Sequence, residues 1–323
     1  MPSILDLTNL RGRYVLVRAS LNVPLQDGVV RSSFRIKRAL ETLRYLHEQG
    51  ARTIILSHIG RNEADTLKPV YEALADHLPL QWGGRVTGEE FRARRELMQN
   101  GDLLLAENLR QDPREVANDP AFATELASLG ELYINDAFAE VHREHASLAA
   151  LAEQLPAYAG LSLLAEITAL QTAREPQSPA LFLLGGAKFE TKLPLVEEYL
   201  KRYDHVFIGG ALANDILKAR GYAVGRSLVS AVDLSASPLI QHEKLLVPID
   251  LLIEGPAGVR ADELSSVGPE ERIMDCGPKT VAMLAEHINA AATILWNGPF
   301  GAYEQGFTEA TEQTARFIAG ADG

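Results

Sequence analysis

Leu181-Phe-Leu-Leu-Gly-Gly-Ala-Lys-Phe-Glu-Thr-Lys192 decides the fold of this chain, because an apolar run stops at two glycines and continues into a segment with two lysines. Pro179 and the residues Leu181 to Leu184 suit a buried parallel strand. After the glycines, Leu193, Val196 and Leu200 recur at helical spacing, and Leu195 and Tyr199 widen that face. The stretch therefore reads as strand, tight turn, helix. Lys188 and Lys192 are four apart, so a helix places them on one face, one turn above the other. Near a helix N-terminus, whose free N–H groups already attract anions, two cations are unfavourable unless an anion binds there. Taken alone, the pair also fits a solvated surface turn.

Repetition favours the anion site. Val206-Phe-Ile-Gly-Gly-Ala-Leu-Ala-Asn214 repeats the pattern one βα unit later, and Leu295-Trp-Asn-Gly-Pro-Phe-Gly301 supplies a third glycine-bearing strand exit. In a parallel sheet all three exits fall on the edge where open α/β sheets bind ligands. None is G-x-G-x-x-G, and no G-x-x-x-x-G-K-[ST] occurs, so neither the dinucleotide fingerprint nor the Walker A loop explains them.

Working outward, 323 residues that are 46% hydrophobic suffice for substantial cores and, by size, for roughly two domains. The single cysteine, Cys276, excludes an internal disulfide and fits a reducing cytoplasm. The N-terminus lacks the basic region and apolar core of a signal peptide, and no apolar run approaches the roughly 20 residues that span a bilayer. A formal charge of −12 argues against a general nucleic-acid binder. Cations must then gather locally to bind an anionic substrate.

They gather in the first half. Tyr14 to Ala19 reads as a buried strand and Gln26-Asp-Gly28 as a turn. Ser33 opens a helix with Ile36, Leu40, Leu43 and Leu46 on its core face, and Arg35 in its first turn opposes the helix dipole. The strand Thr53 to Ser57 empties into His58-Ile-Gly-Arg61, and Asp102 to Ala106 ends in Glu107-Asn-Leu-Arg110. Leu67 to Leu78 and Phe122 to Leu129 are helical, with a short strand at Leu78 to Trp82. Leu132 to Asn135 precedes Asp136-Ala-Phe-Ala-Glu-Val-His-Arg-Glu-His145. Alternating strands and helices mean a parallel, right-handed sheet. Its exits collect Arg35, His58, Arg61, Arg110, His142, Arg143 and His145 into a polyanion site for phosphate and carboxylate groups.

Leu163, Leu164, Ile167 and Leu170 mark a connecting helix, broken by Arg174-Glu-Pro-Gln-Ser-Pro179. Beyond it the reading is strand 181–184, helix, strand 205–208, helix, strand 245–249, a polar excursion from Glu254 to Glu271, helix 279–289, strand 293–296 and helix 308–319.

From Val17-Arg-Ala-Ser-Leu-Asn-Val-Pro24 to its last residue the chain resembles the phosphoglycerate kinase family. The matching motifs are Ser57-His-Ile-Gly-Arg61, Glu107-Asn-Leu-Arg110, Asn135-Asp-Ala-Phe138, His142-Arg-Glu-His145, Gly185-Gly-Ala-Lys188, Gly277-Pro-Lys-Thr280 and Trp296-Asn-Gly-Pro299. The resemblance implies two doubly wound, Rossmann-like parallel-sheet domains. Residues 1–160 would bind 3-phosphoglycerate, 161–175 would form the interdomain helix, and 176–323 would bind Mg-ATP or Mg-ADP. The implied reaction is the reversible phosphoryl transfer of glycolysis, in a cytoplasmic monomer, with domain closure that excludes water. Matched residue by residue, the resemblance implies that Asn22, Arg35, His58, Arg61, Arg110 and Arg143 would contact phosphoglycerate. Lys188 and Lys192 would hold phosphate, and Gly186, Gly209, Asn297 and Glu304 would serve the nucleotide, Glu304 at the ribose. Arg35, Lys188 and Lys192 would stabilise the moving phosphoryl group. A carboxylate nucleophile is already ionised and needs no general base.

Five positions depart from the family. Ser20 replaces an aspartate that touches phosphoglycerate, Ala139-Glu140 replaces Gly-Thr, Ala211 replaces a third glycine, and Asn62 replaces a proline. The family also continues past Gly323 with a strand and a Gly-Gly-Gly-Asp-Thr turn whose aspartate serves the metal, so no metal ligand is assigned, with Asp275 the first alternative to test. On that ground the 323-residue chain is expected to be a poor kinase with a labile second domain. Three readings follow. They are a phosphoglycerate kinase whose sequence runs on, a non-catalytic phosphoglycerate- or nucleotide-binding relative, and a nicotinamide-dependent α/β enzyme, which the missing G-x-G-x-x-G disfavours.

Overall fold

The computed structural model describes residues 2–187 and 189–320. The chain divides into two compact units, Met1–Ala169 and Leu170–Gly323. The first contains β1 (Tyr14–Ala19), a hairpin of β2 (Leu25–Gln26) and β3 (Val29–Val30), β4 (Arg52–Leu56), β5 (Leu80–Gly84), β6 (Leu103–Ala106), β7 (Leu132–Asp136) and β8 (Ala157–Ala159). Its helices are α1 (Phe34–Glu48), α2 (Lys68–Ala75), α3 (Glu89–Leu97), α4 (Pro113–Val116) and α5 (Pro120–Ala127), and α6 (Leu161–Arg174) runs across the boundary.

Six of these strands form one parallel sheet in the order β5-β6-β4-β1-β7-β8. Side chains alternate faces along a strand, and here both faces are covered, which is why the strands read as unbroken apolar runs. Val15, Val17, Ile55 and Leu105 pack with Ile36, Leu40, Leu43 and Leu46 of α1. Leu16, Ile54, Leu56 and Leu104 pack on the other face with Phe91 of α3 and Phe122 of α5. α3 and β8 escaped the sequence reading. α3 is mostly charged, with Phe91 its sole buried residue, and β8 has only three residues.

The second unit contains β9 (Ala180–Leu184), α7 (Phe189–Arg202), β10 (His205–Ile208), α8 (Ala211–Ala219), β11 (Leu245–Leu246), β12 (Asp250–Gly255), β13 (Gly258–Glu263), β14 (Arg272–Cys276), α9 (Pro278–Ala290), β15 (Thr293–Asn297) and α10 (Glu309–Gly320). Its main sheet is parallel, β11-β10-β9-β15. Phe182 and Leu184 face Val196, Leu200, Leu212 and Ile216, while Leu181 and Leu183 face Val281, Leu284 and Ile288. Two expectations need correcting. The strand expected over 245–249 is only the short β11, and the span 254–271 taken as a polar excursion holds the end of β12 and the whole of β13, which with β14 form an antiparallel sheet, β13-β12-β14, turning at Gly255-Pro256-Ala257-Gly258. Its polarity is that of an outer strand, since no residue of β13 is buried.

Asp136, at the end of β7, fixes the start of α6. Its Oδ1 accepts the Leu163 backbone N–H at 3.0 Å, satisfying one of the free donors of the first helical turn. A Cβ at Gly160 would lie 2.3 Å from that oxygen, so glycine is required there. Burial, only partly offset by the Leu163 N–H and the Thr42 side chain, pushes the carboxyl up to about 6. The folded state thus holds this proton more tightly than the unfolded state, so stability falls as pH rises from 3.8 to about 6 and the loss is complete above that. Asp136→Asn carries no such charge. Its stability relative to wild type should be most favourable above about pH 6 and decline by on the order of 2 kcal/mol as pH falls towards about 4. Urea titrations at a series of pH values measure this, and a pH-independent difference would contradict it.

Candidate active site

In the first unit the exits of β1, β4, β6 and β7 meet. Asn22 follows β1, and its Oδ1 accepts the Gly60 N–H (3.0 Å) while its carbonyl accepts Arg35 Nη1 (2.7 Å). Arg110, in the turn after β6, donates to the Gly60 carbonyl. Gly60 has φ +63°, and a Cβ there would lie 1.8 Å from Asp65 Oδ2, which caps the Arg61 and Asn62 N–H groups. Asn108 ties these exits together, accepting from Ile59 N–H and donating to the carbonyls of Ile59 and Asp65.

His58 is fully buried. Burial and then the charges of Arg18, Arg110, Arg143 and His145 push its imidazole down to about 2. Arg110 is also lowered, by burial and then by Arg143 and Arg18. Positive charge is therefore packed more densely than the fold alone favours, the condition under which an anion binds strongly. Glu140 is buried with Oε1 3.7 Å from Arg35 Nη1, and the Arg35 side chain keeps 40% of its exposure. Arg61 and His142 are exposed, and their side chains make no hydrogen bond or ion pair among the described residues.

Arg18 was not foreseen as part of this site. Its guanidinium is completely buried, with Nε on Ser147 Oγ (2.9 Å), Nη1 on the Ala19 carbonyl (2.8 Å) and Nη2 on His58 Nδ1 (2.8 Å). Ser147 Oγ in turn donates to the buried Glu115 (2.6 Å). The available signal was a lone arginine inside the apolar run Tyr14-Val-Leu-Val-Arg-Ala19.

In the second unit the exits of β9, β10 and β15 border a cleft of about 1060 Å³ lined by Gly186, Gly210, Ala211, Asp275, Pro299 and Glu304 among others. Leu251, Ile273 and Met274 give it apolar walls, so the antiparallel sheet builds one side of it, a role that the sequence reading did not assign. A cavity of this size, with apolar walls and polar side chains such as Asn214, Arg272, Asp275 and Glu304, suits a flat heterocycle carrying polar substituents. Gly186 has φ +112° and open space where a Cβ would sit. Gly209 is buried behind the cleft against Phe300 and does not line it. Lys192 Nζ donates to Asn297 Oδ1 at 2.5 Å, joining α7 to the end of β15 outside the lining residues. Lys188 lies outside the described residues.

A Cβ at Gly185 would stand 2.1 Å from the Pro299 carbonyl oxygen, a backbone atom that cannot step aside cheaply. Gly185→Ala is therefore expected to force apart the β9 and β15 exits, which the Gly185 N–H to Asn297 carbonyl bond (2.8 Å) holds together, and if the cleft takes the nucleotide that the family resemblance implies, to lower its affinity at least about tenfold. Gly186→Ala meets no atom but strains φ, and should do less damage to packing. Equal nucleotide dissociation constants for wild type and Gly185→Ala in calorimetry would refute this.

A cation cluster in one α/β unit and a glycine-walled cleft in a second are what a two-domain phosphotransferase presents, and comparison with known proteins gives that class. Residues 4–323 match the family model described as phosphoglycerate kinase. The chain is 39% identical over 333 residues to phosphoglycerate kinase of Roseiflexus sp. (strain RS-1), covering 97% of this chain and 84% of that one. Against phosphoglycerate kinase of Moorella thermoacetica it is 40% identical over 338 residues, covering 99% and 85%. The solved phosphoglycerate kinase of Coxiella burnetii superposes with a TM-score of 0.83 at 33% identity, covering 99% of this chain and 86% of that one. The one from Pyrococcus horikoshii OT3 gives 0.83 at 28% identity, covering 100% and 87%. The chain belongs to the phosphoglycerate kinase family.

Proposed function

We propose that the chain transfers a phosphoryl group reversibly between ATP or ADP and the carboxylate of 3-phosphoglycerate, and that the two clusters are its two substrate sites. The observation that carries this is the convergence of Asn22, Arg35, His58, Arg110 and Arg143 at the strand exits of one parallel sheet in a phosphoglycerate kinase relative. Guanidinium groups grip phosphate and carboxylate bidentately, and exposed Arg61 adds a further cation. In the second unit the cleft takes the nucleotide, with Gly186 beside its phosphates and Glu304 at the ribose. Gly209 and Asn297 act from behind, one as packing and one through Lys192. Arg35, Lys188 and Lys192 are the charges that we assign to the transferring group, where catalysis consists of positioning and neutralisation.

Magnesium enters with the nucleotide as a component of the substrate. Among the described residues no group of three His, Cys, Asp or Glu is placed to hold a metal. Asp275, one of two carboxylates lining the cleft with Glu304, accepts Cys276 N–H at 2.8 Å and Ala310 N–H at 3.3 Å with its two oxygens. Both oxygens are thus already engaged by backbone, and no metal role is assigned to it. Among the described residues no helix is long and apolar enough to cross a membrane. We propose a monomer working in the cytoplasm and binding neither nucleic acid nor membrane, in keeping with the net charge of −12.

Calorimetry of the full chain with 3-phosphoglycerate tests the first site. Arg35→Ala, Arg61→Ala and Arg143→Ala should each weaken binding about tenfold or more, as expected for lost charge-assisted bonds. Added salt should weaken it further through screening. Affinity indifferent to all three substitutions would overturn the assignment.

A further inference from the structure

The buried polar chain behind the phosphoglycerate cluster has a direction. A guanidinium can only donate, so the 2.8 Å contact between Arg18 Nη2 and His58 Nδ1 makes Nδ1 the acceptor. The hydrogen of the neutral ring then sits on Nε2, which is buried and has no hydrogen-bond partner. Arg18 is held from its far side. Its Nε donates to Ser147 Oγ (2.9 Å), which donates onward to Glu115 Oε1 (2.6 Å), while Glu115 Oε2 accepts the Ser147 N–H (3.0 Å). Arg18, Ser147 and Glu115 are all completely buried, so the order of donors cannot be scrambled by water.

We propose that Arg18, anchored by Ser147 and Glu115, is a positioning residue that locks His58 in its Nε2–H tautomer, so that the ring presents a fixed neutral donor to an anionic oxygen of the substrate. An orphaned buried N–H is costly and is retained where a ligand satisfies it. Arg18, Arg110, Arg143 and His145 surround the ring, so it stays neutral and donates one directed bond instead of adding another diffuse charge. The device sharpens selection, because an acceptor oxygen at that point is rewarded and a cation or a bare N–H is not. This rests on the phosphoglycerate reading above, although the tautomer itself does not.

Nitrogen-15 correlation spectra of the labelled full chain, with the His58 signals identified by their loss in His58→Gln, read the ring directly. The expected spectrum is a single neutral form, protonated at Nε2 and bare at Nδ1, unchanged over the range in which a free histidine titrates. Ser147→Ala removes the anchor. It should populate the other tautomer and raise the 3-phosphoglycerate KM about five- to tenfold with kcat within about twofold. In the His58→Gln background the same Ser147→Ala change should leave KM unaltered, because the ring it acts through is gone. A wild-type ring protonated at Nδ1 or charged would overturn the proposal without any kinetic measurement. So would an equal KM increase in both backgrounds, which marks a merely structural serine. If wild type failed to bind 3-phosphoglycerate at all, the substrate reading would fall while the spectrum still decided the tautomer.

Discussion

Replacing Arg35 with alanine is expected to reduce kcat by about 10²- to 10³-fold, the usual cost of removing one preorganised charge from a transferring group. Arg35 sits in the first turn of α1 without an acidic neighbour in that turn, held by the Asn22 carbonyl at 2.7 Å and by Glu140 at 3.7 Å. Placing a cation at a helix N-terminus opposes the helix dipole, so the position is retained for what it binds. Its side chain remains 40% exposed, so it is accessible to a ligand and its removal leaves no buried hole. Losing the bond to the Asn22 carbonyl and the cation beside the buried Glu140 should cost on the order of 1 kcal/mol of stability, too little to account for the fall in kcat. Arg35→Lys keeps the charge but loses the planar fork and should recover only a fraction of the rate. A coupled assay in which Arg35→Ala retains more than a tenth of wild-type kcat would remove Arg35 from the catalytic set.

The largest effect on stability is expected at Arg18. Arg18→Met removes three hydrogen bonds and leaves the buried Glu115, which also lies 3.8 Å from His145, without the cation at the other end of its Ser147 bridge. Breaking one side of a buried ionic network typically costs about 3–5 kcal/mol, a large share of a domain's total stability. Arg18→Met combined with Glu115→Leu replaces both charges by apolar side chains and should recover most of that loss, since a well-packed apolar pair is often as stable as the ionic one. The double variant should still bind 3-phosphoglycerate poorly, because His58 loses its donor on Nδ1. Urea unfolding of the three proteins measures the cycle, and a double variant no more stable than Arg18→Met would show that packing, not unpaired charge, dominates.

Much of this was legible in one dimension. Strand positions were readable because both faces of each parallel sheet are covered, which turns β1, β4, β6 and β9 into near-continuous apolar runs ending at polar motifs. The exits of such strands share one edge, so the sequence order of Arg35, His58, Arg110 and Arg143 already implied their convergence. Gly185 was readable as a turn, but its obstacle is the Pro299 carbonyl, a residue over a hundred positions away. The sheet β13-β12-β14 was missed because its outer strand is polar, and antiparallel edges carry no continuous apolar signal.

The amino-acid sequence by itself determined the α/β class, the phosphoglycerate kinase resemblance and the residues of the basic cluster, all of which depend on local periodicity and on motif spacing. Only the tertiary structure decided how those residues are held. Arg18, Ser147 and Glu115 are distant in sequence and ordinary by type, and they become a directed chain because burial strips away the water that would otherwise satisfy each of them separately. The same holds for Gly209, a cleft residue by motif and a packing residue by contact, since which side of a glycine faces the ligand depends on Phe300 folding back against it.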